Sequence, residues 1–214
     1  MKKSVIIIGA GPGISTAIAE KFGQERYQIG LISRSVTKGQ TLVQNLTTKK
    51  ITAFFEAADA GILDELQQAL TRLSAKLGGV SVLVYNAAVL KAKDIMSESS
   101  QELAKDFNVN VAAALESTKI LYNELKEHQG TILFTGGGLA IDPDARYGSL
   151  AIGKAGLRNL AFQLHERLKQ DLIYVGLLTI TQKVKPDNPK GSPALVAEQF
   201  WKLLQERSEL ERTI

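Results

Sequence analysis

Cysteine is absent from this 214-residue chain, which excludes disulfides, thiolate metal ligands and cysteine nucleophiles. Proline occurs 5 times and glycine 18 times, too sparsely for a disordered or collagen-like chain. No run approaches the roughly 18 uninterrupted apolar residues of a membrane-spanning helix. An excess of one charge is missing too: 26 Lys and Arg face 22 Asp and Glu, and the net +4 is spread along the chain with no basic tail. Neither nucleic acid nor a membrane is therefore expected as a partner. The only histidines, His128 and His165, have no partner at metal-ligand spacing, and no metal site is expected. The opening 1-MKKSVIIIGAG-11 carries a short apolar run leading into glycines, without a long apolar region or cleavage site. It reads as a buried strand, and the expected compartment is cytoplasmic. What the chain has in quantity is apolar matter, 44% of its residues, enough for one substantial core in a single domain spanning 1–214.

That apolar matter comes in short β-branched runs alternating with helical periodicity. Val5 to Ile8 is closed by Gly9, and 14-ISTAIAEKF-22 then spaces its apolar residues as a helix does. The pattern repeats with strands at Gln28–Ile32, Ile51–Ala57, Val80–Tyr85, Thr131–Thr135 and Leu172–Thr179. Helices are expected at Thr37–Thr48, at Leu63–Lys76, over a long stretch ending near Glu127, and from about Arg146 to Lys169. Continuous apolar strands separated by helices predict a doubly wound α/β fold whose parallel sheet is covered on both faces. A polar loop, 182-QKVKPDNPKGSP-193, precedes a last amphipathic helix through Phe200, Trp201 and Leu204, and 210-LERTI-214 is a candidate edge strand.

The segment 9-GAGPGIS-15 follows the first strand and opens the first helix, where a glycine-rich turn brings backbone amides against a diphosphate. Gly9, Gly11, Pro12, Gly13 and Ile14 are the candidate cofactor contacts, and Ser15 stands as a small substitute where a third glycine is common. After the second strand the chain reads 31-LISRS-35, with no acid to repel a ribose 2′-phosphate. Ser33, Arg34 and Ser35 offer hydroxyls and a guanidinium fork instead, so NADP is the expected cofactor rather than NAD. Arg34 has an alternative reading as a solvated loop charge. For Asp59 two uses are open, accepting from an adenine amino group or capping the helix that follows. Asn86, Ala87 and Ala88 lie where the fourth strand ends, at the carboxyl edge that binds ligands in open sheets.

With 9-GAGPGIS-15, Asp59, 86-NAA-88, Asn110 in 106-DFNVN-110 and 153-GKAGLRNL-160, the chain resembles the short-chain dehydrogenase/reductase family over nearly its whole length. The resemblance implies a Rossmann-like, three-layer α/β sandwich around a mostly parallel sheet of about seven strands. It also implies an active site of Asn, Ser, Tyr and Lys. Asn110 and Lys154 match that set. The tyrosine expected four residues before Lys154 is Leu150, and the serine expected at the end of the fifth strand is Gly137. A leucine has no proton to exchange with a substrate oxygen. Tyr147 is the first alternative donor, about 10 Å up the helix from Lys154 if the helix already includes it; its competing use is as a rim aromatic. The family's Pro-Gly turn after the sixth strand is replaced by Ile180 and Thr181, and Lys183 and Lys185 beyond it are candidates to meet an acidic substrate.

Two functions stay open on these residues. One is an NADP(H)-dependent oxidoreductase acting on a carbonyl or alcohol through an atypical active site. The other is a catalytically inactive nucleotide-binding protein with a regulatory or interaction role on the same scaffold. Apolar residues beyond one helical stripe, among them Val111, Leu115, Leu121, Leu157, Leu160 and Leu164, suggest a homodimer or homotetramer.

Overall fold

The computed structural model describes residues 3–214. Seven strands form one sheet, β1 (Ser4–Ile8), β2 (Gln28–Ser33), β3 (Ala53–Ala57), β4 (Val82–Tyr85), β5 (Thr131–Thr135), β6 (Tyr174–Thr179) and β7 (Glu211–Thr213). Their order across the sheet is β3-β2-β1-β4-β5-β6-β7, and every adjacent pair is parallel. The order reverses beside β1, which opens a crevice at the carboxyl edge between β1 and β4.

Both faces of the sheet are buried, which is why the strands read as unbroken apolar runs. Ile6 and Ile8 of β1 point into a core formed with α3 (Leu63–Leu77), the helices that follow β4, and α7 (Gly148–Leu168). Val5 and Ile7 point the other way, against α1 (Ile14–Gln24), α2 (Val36–Thr48) and α8 (Pro193–Glu206). On that second face Phe22 of α1 meets Trp201 of α8 edge to face at 5.4 Å. The terminal segment does form an edge strand, with Leu177 opposite Glu211 and Thr179 opposite Thr213.

The structure departs from the sequence reading in the long helix before β5. Its residues fall into α4 (Ser100–Phe107), a π turn (Asn108–Ala112), α5 (Ala113–Ile120) and α6 (Tyr122–Glu127). The cause of the π turn lies outside the helix. Tyr85, buried at the end of β4, donates its hydroxyl to the Val109 carbonyl and draws that oxygen out of the helical ladder. Burial pushes the Tyr85 phenol up from its ordinary value, so it remains a donor. Helix α7 also begins later than its periodicity suggests. Tyr147 keeps a non-helical backbone (φ −127, ψ 41) in front of Gly148, whose amide donates to the Lys93 carbonyl. At β6 the strand waits until Tyr174 because Leu172 is left-handed, φ 59.

Candidate functional site

A cleft of about 660 Å³ runs along the carboxyl edge of the sheet, crossing the ends of β1 to β6. Its floor is the turn from Gly9 to Ser15. Gly9 has φ 87, and a Cβ there would stand 2.5 Å from the Ala87 amide nitrogen, so only glycine lets this turn pass so close to the segment after β4. Gly11 is the opposite case: a Cβ there would meet nothing within 4 Å. The first turn of α1 has neither a side-chain cap nor an acidic residue, which leaves its backbone N–H groups facing the cleft as anion donors.

Ser15 is more than a small substitute for glycine. Its hydroxyl donates to the Gly9 carbonyl at 2.8 Å and accepts from the Asn86 side-chain amide at 2.8 Å. The two loops that meet under the cleft are thus tied by one buried hydroxyl, and Asn86 spends its amide on that tie.

At one end of the cleft stand Ser33, Arg34 and Asp59. The Ser33 hydroxyl has no hydrogen-bond partner. The Arg34 side chain is 80% exposed and lies 3.9 Å from an Asp59 carboxylate oxygen, a loose pair that leaves the guanidinium free to swing onto a ligand. The other Asp59 oxygen accepts from the Gly61 amide at 2.8 Å, so this residue shapes the turn before α3, and the helix itself is capped at Ile62. Ser35 lies outside the cleft lining. It is the N-cap of α2, and its hydroxyl accepts from the Lys38 amide at 3.3 Å.

At the other end is Lys154, 9% exposed, with its ammonium donating to the Thr135 carbonyl at 2.8 Å. Burial alone pulls its pKa down from the ordinary lysine value to about 8. Asn110 sits in the π turn, buried, its side-chain oxygen accepting from the Val89 amide at 2.8 Å. Its amide nitrogen has no partner and presses against Gly153, where a Cβ would approach to 2.5 Å. Asn110 therefore fastens the segment after β4 to the helix and faces the residue before Lys154.

Tyr147 is not brought to Lys154. It precedes α7, is 37% exposed and does not line the cleft. Leu150 is buried in the first turn of α7. Gly137 does face the lysine, for the nearest atoms to a Cβ built on it are Lys154 Cδ and Cε, each 3.6 Å away. Lys183 and Lys185 are also absent from the lining, whereas the alternate residues Gln182, Val184 and Pro186 belong to it. The loop runs extended there, so neighbouring side chains face opposite ways.

Sequence reasoning missed a second cluster that stiffens one wall. Lys91 bridges two buried carboxylates, Asp106 at 2.7 Å and Glu98 at 3.0 Å, and the Ser149 hydroxyl donates to Asp106 at 2.7 Å. The partners lie on the segment after β4, on α4 and on α7, too far apart in sequence for any periodicity to reveal. Among the described residues no group of three or more His, Asp or Glu is placed to hold a metal ion. Nor is any described helix long and apolar enough to cross a membrane.

Keeping Lys154 charged in this site costs stability, and the sign follows from its depressed pKa. Between about pH 8 and the unfolded value of 10.5 the unfolded chain holds the extra proton, so stability from this group rises with pH across that window. The expected result is that the wild-type protein, relative to Lys154→Met, gains up to about 3 kcal/mol from pH 7 to pH 10.5 in urea denaturation. Parallel pH curves for the two proteins would show that the lysine is not desolvated.

A parallel seven-stranded sheet, reversing beside β1 and carrying a glycine-rich turn under a cleft at its carboxyl edge, defines a Rossmann-like fold. Within that class the chain belongs to the short-chain dehydrogenase family, whose sequence profile matches residues 3–182. It is 26% identical over 135 residues to the 3-oxoacyl-(acyl-carrier-protein) reductase FabG of Staphylococcus epidermidis, covering 62% of this chain and 55% of that protein. The match thus spans about half the length of this curated relative. A short-chain dehydrogenase from Rhodopseudomonas palustris superposes with a TM-score of 0.87 at 26% identity, over 99% of this chain and 97% of the other. A short chain dehydrogenase from Burkholderia cenocepacia in complex with NADP superposes with a TM-score of 0.90 at 23% identity, over 99% and 96% of the two chains.

Proposed function

We propose that this protein is an NADP(H)-dependent oxidoreductase that interconverts a carbonyl and an alcohol through an active site without the family's serine and tyrosine. The observation that carries the reading is the cleft itself, with unused helical N–H donors at its centre, Arg34 at one end and Lys154 at the other. The residues fit the cofactor. The open space at Gly11 admits a diphosphate against the backbone, and the unpartnered Ser33 hydroxyl beside a swinging Arg34 suits a 2′-phosphate. The NADP held by the Burkholderia cenocepacia relative supports the same choice. Bound here, the cofactor would supply a hydride from its nicotinamide ring.

The chain's own residues then divide the work. Lys154 donates to ribose hydroxyls and orients the ring, Asn110 holds the wall next to it, and the Ser15–Asn86 tie keeps the diphosphate turn rigid. Gly137 and Leu150 place no hydroxyl beside Lys154, and Tyr147 stands clear of the cleft. The same lack of hydroxyls favours a second reading, an inactive nucleotide-binding protein. We infer in addition a cytoplasmic homodimer or homotetramer, supported by the exposed Phe107, Ile152 and Phe162 on α4 and α7.

Binding decides the cofactor assignment. NADPH should bind more tightly than NADH, and Arg34→Ala should weaken NADPH by about 10- to 100-fold while leaving NADH nearly unchanged, from the loss of charge-assisted bonds. Fluorescence titration of both proteins with both cofactors measures this. Equal affinity of the wild type for NADPH and NADH would overturn the assignment.

A further inference from the structure

The mechanism above lacks an acid. Reducing a carbonyl needs a proton at oxygen as well as a hydride at carbon, and the groups that line the cleft limit where that proton can originate. Among the described residues, the titratable side chains in the lining are Arg34, Asp59 and Lys154. The first two follow β2 and β3, whereas Lys154 lies over β5. Strands β2 and β5 are three steps apart in the sheet, about 14 Å at the usual strand spacing. Near Lys154 the lining offers Thr135 and Gln182, neither of which is an acid near neutral pH, together with Gly136 and Ile180.

The surroundings of Lys154 leave its ammonium available. One N–H goes to the Thr135 carbonyl, and no other protein acceptor engages the nitrogen. From β5 it meets the Thr135 carbonyl and hydroxyl, and from the π turn the neutral Asn110 amide lies against the preceding residue. No carboxylate on these elements pairs with it, and Asp106, between α4 and α7, is committed to Lys91 and Ser149. Gly137 leaves the flank of the lysine without a covering side chain.

We propose that Lys154 itself is the acid in carbonyl reduction, its ammonium passing a proton directly to the substrate oxygen. As hydride from NADPH forms the new C–H bond, the carbonyl π bond breaks and its electron pair takes the proton from Lys154. The carbonyl is reduced to an alcohol and NADPH is oxidised to NADP+. The neutral amine left behind regains a proton from solvent, and alcohol oxidation runs the same steps in reverse. Burial suits the group to this task, since a pKa of about 8 lies close to neutral pH, where a general acid works best. The proposal rests on the oxidoreductase reading of the site.

Two measurements test it. Trace acetylation of the protein and of its NADP+ complex from pH 6 to 11, read by peptide mass spectrometry, should show Lys154 half-reactive near pH 8 and surface lysines near 10.5. Titration of Lys154 together with the surface lysines overturns the proposal whatever the activity. In single-turnover reduction of 4-nitrobenzaldehyde by NADPH, the wild-type rate should fall about tenfold per pH unit above pH 8. Lys154→Arg, which still donates to a ribose but holds its proton, should bind NADPH within about threefold of wild type. It should reduce the aldehyde at least about 100-fold more slowly, with a flat pH profile. An arginine variant of wild-type rate, or a flat wild-type profile, overturns the proposal. A wild type that does not bind NADPH, or binds it without oxidising it, overturns the oxidoreductase reading and the proposal with it. That failure shows in the wild type alone and is separate from a failure confined to Lys154.

Discussion

Installing serine at position 137 and tyrosine at position 150 together should raise the rate of carbonyl reduction by NADPH about 100-fold or more, the usual worth of a positioned general acid. The space for the serine is there. Gly137 has an extended backbone, φ −166, and a Cβ on it would make ordinary contact with the Lys154 stem at 3.6 Å. Leu150 occupies the first turn of α7, on the helix that carries Lys154, so a tyrosine there precedes the lysine by four residues, about one helical turn. Steady-state rates for Gly137→Ser, Leu150→Tyr and the double variant measure the effect. Most of the gain should appear with the tyrosine, because it brings the exchangeable proton. A double variant that binds NADPH like the wild type and reduces nothing faster would mean that the cleft no longer seats a carbonyl at this end.

The two glycines of the diphosphate turn should separate folding from binding. Gly9→Ala forces a side chain into a left-handed conformation and onto the Ala87 backbone, which cannot move aside as a flexible side chain can. A loss of about 3 kcal/mol or more is expected, and thermal melting should show it as a sharply lowered midpoint. Gly11→Ala adds the same methyl to open space, so its melting point should match the wild type within the effect of a neutral surface change, about 0.5 kcal/mol. Its NADPH affinity should nevertheless fall by at least about tenfold, since the methyl stands where the diphosphate approaches. If both variants melt like the wild type, the close passage at Gly9 is not a constraint on the fold.

Much of this architecture was legible because the signals were local. A strand buried on both faces must be apolar at every position, and Val5–Ile8 and Thr131–Thr135 announce themselves for that reason. The glycine turn could be read because a tight strand-to-helix connection restricts which residues fit. Contacts between distant segments were not legible. Nothing near Val109 in sequence says that a tyrosine from β4 will take its carbonyl, and nothing near Ser149 says that its hydroxyl will reach an aspartate 43 residues away. Tyr147 satisfied helical spacing to Lys154, yet the Lys93 carbonyl and the Asp144 carbonyl hold the backbone on either side of it out of the helix. Ser35 had the right chemistry for a phosphate but was taken by the nearer need to cap α2.

The bond from Tyr85 to Val109 also sets the rotational phase of everything after it in that helical stretch. An α-helix turns by about 100° per residue, so a ladder that absorbs one extra residue at the π turn rotates α5 and α6 by that amount relative to α4. With the extra residue the Asn110 oxygen meets the Val89 amide, and its amide nitrogen meets the notch at Gly153. A regular helix through the same residues would aim Asn110 elsewhere and leave Val89 without its partner. One buried phenol on the sheet thus acts as the timing mark by which a helix on its surface is indexed to the lysine opposite.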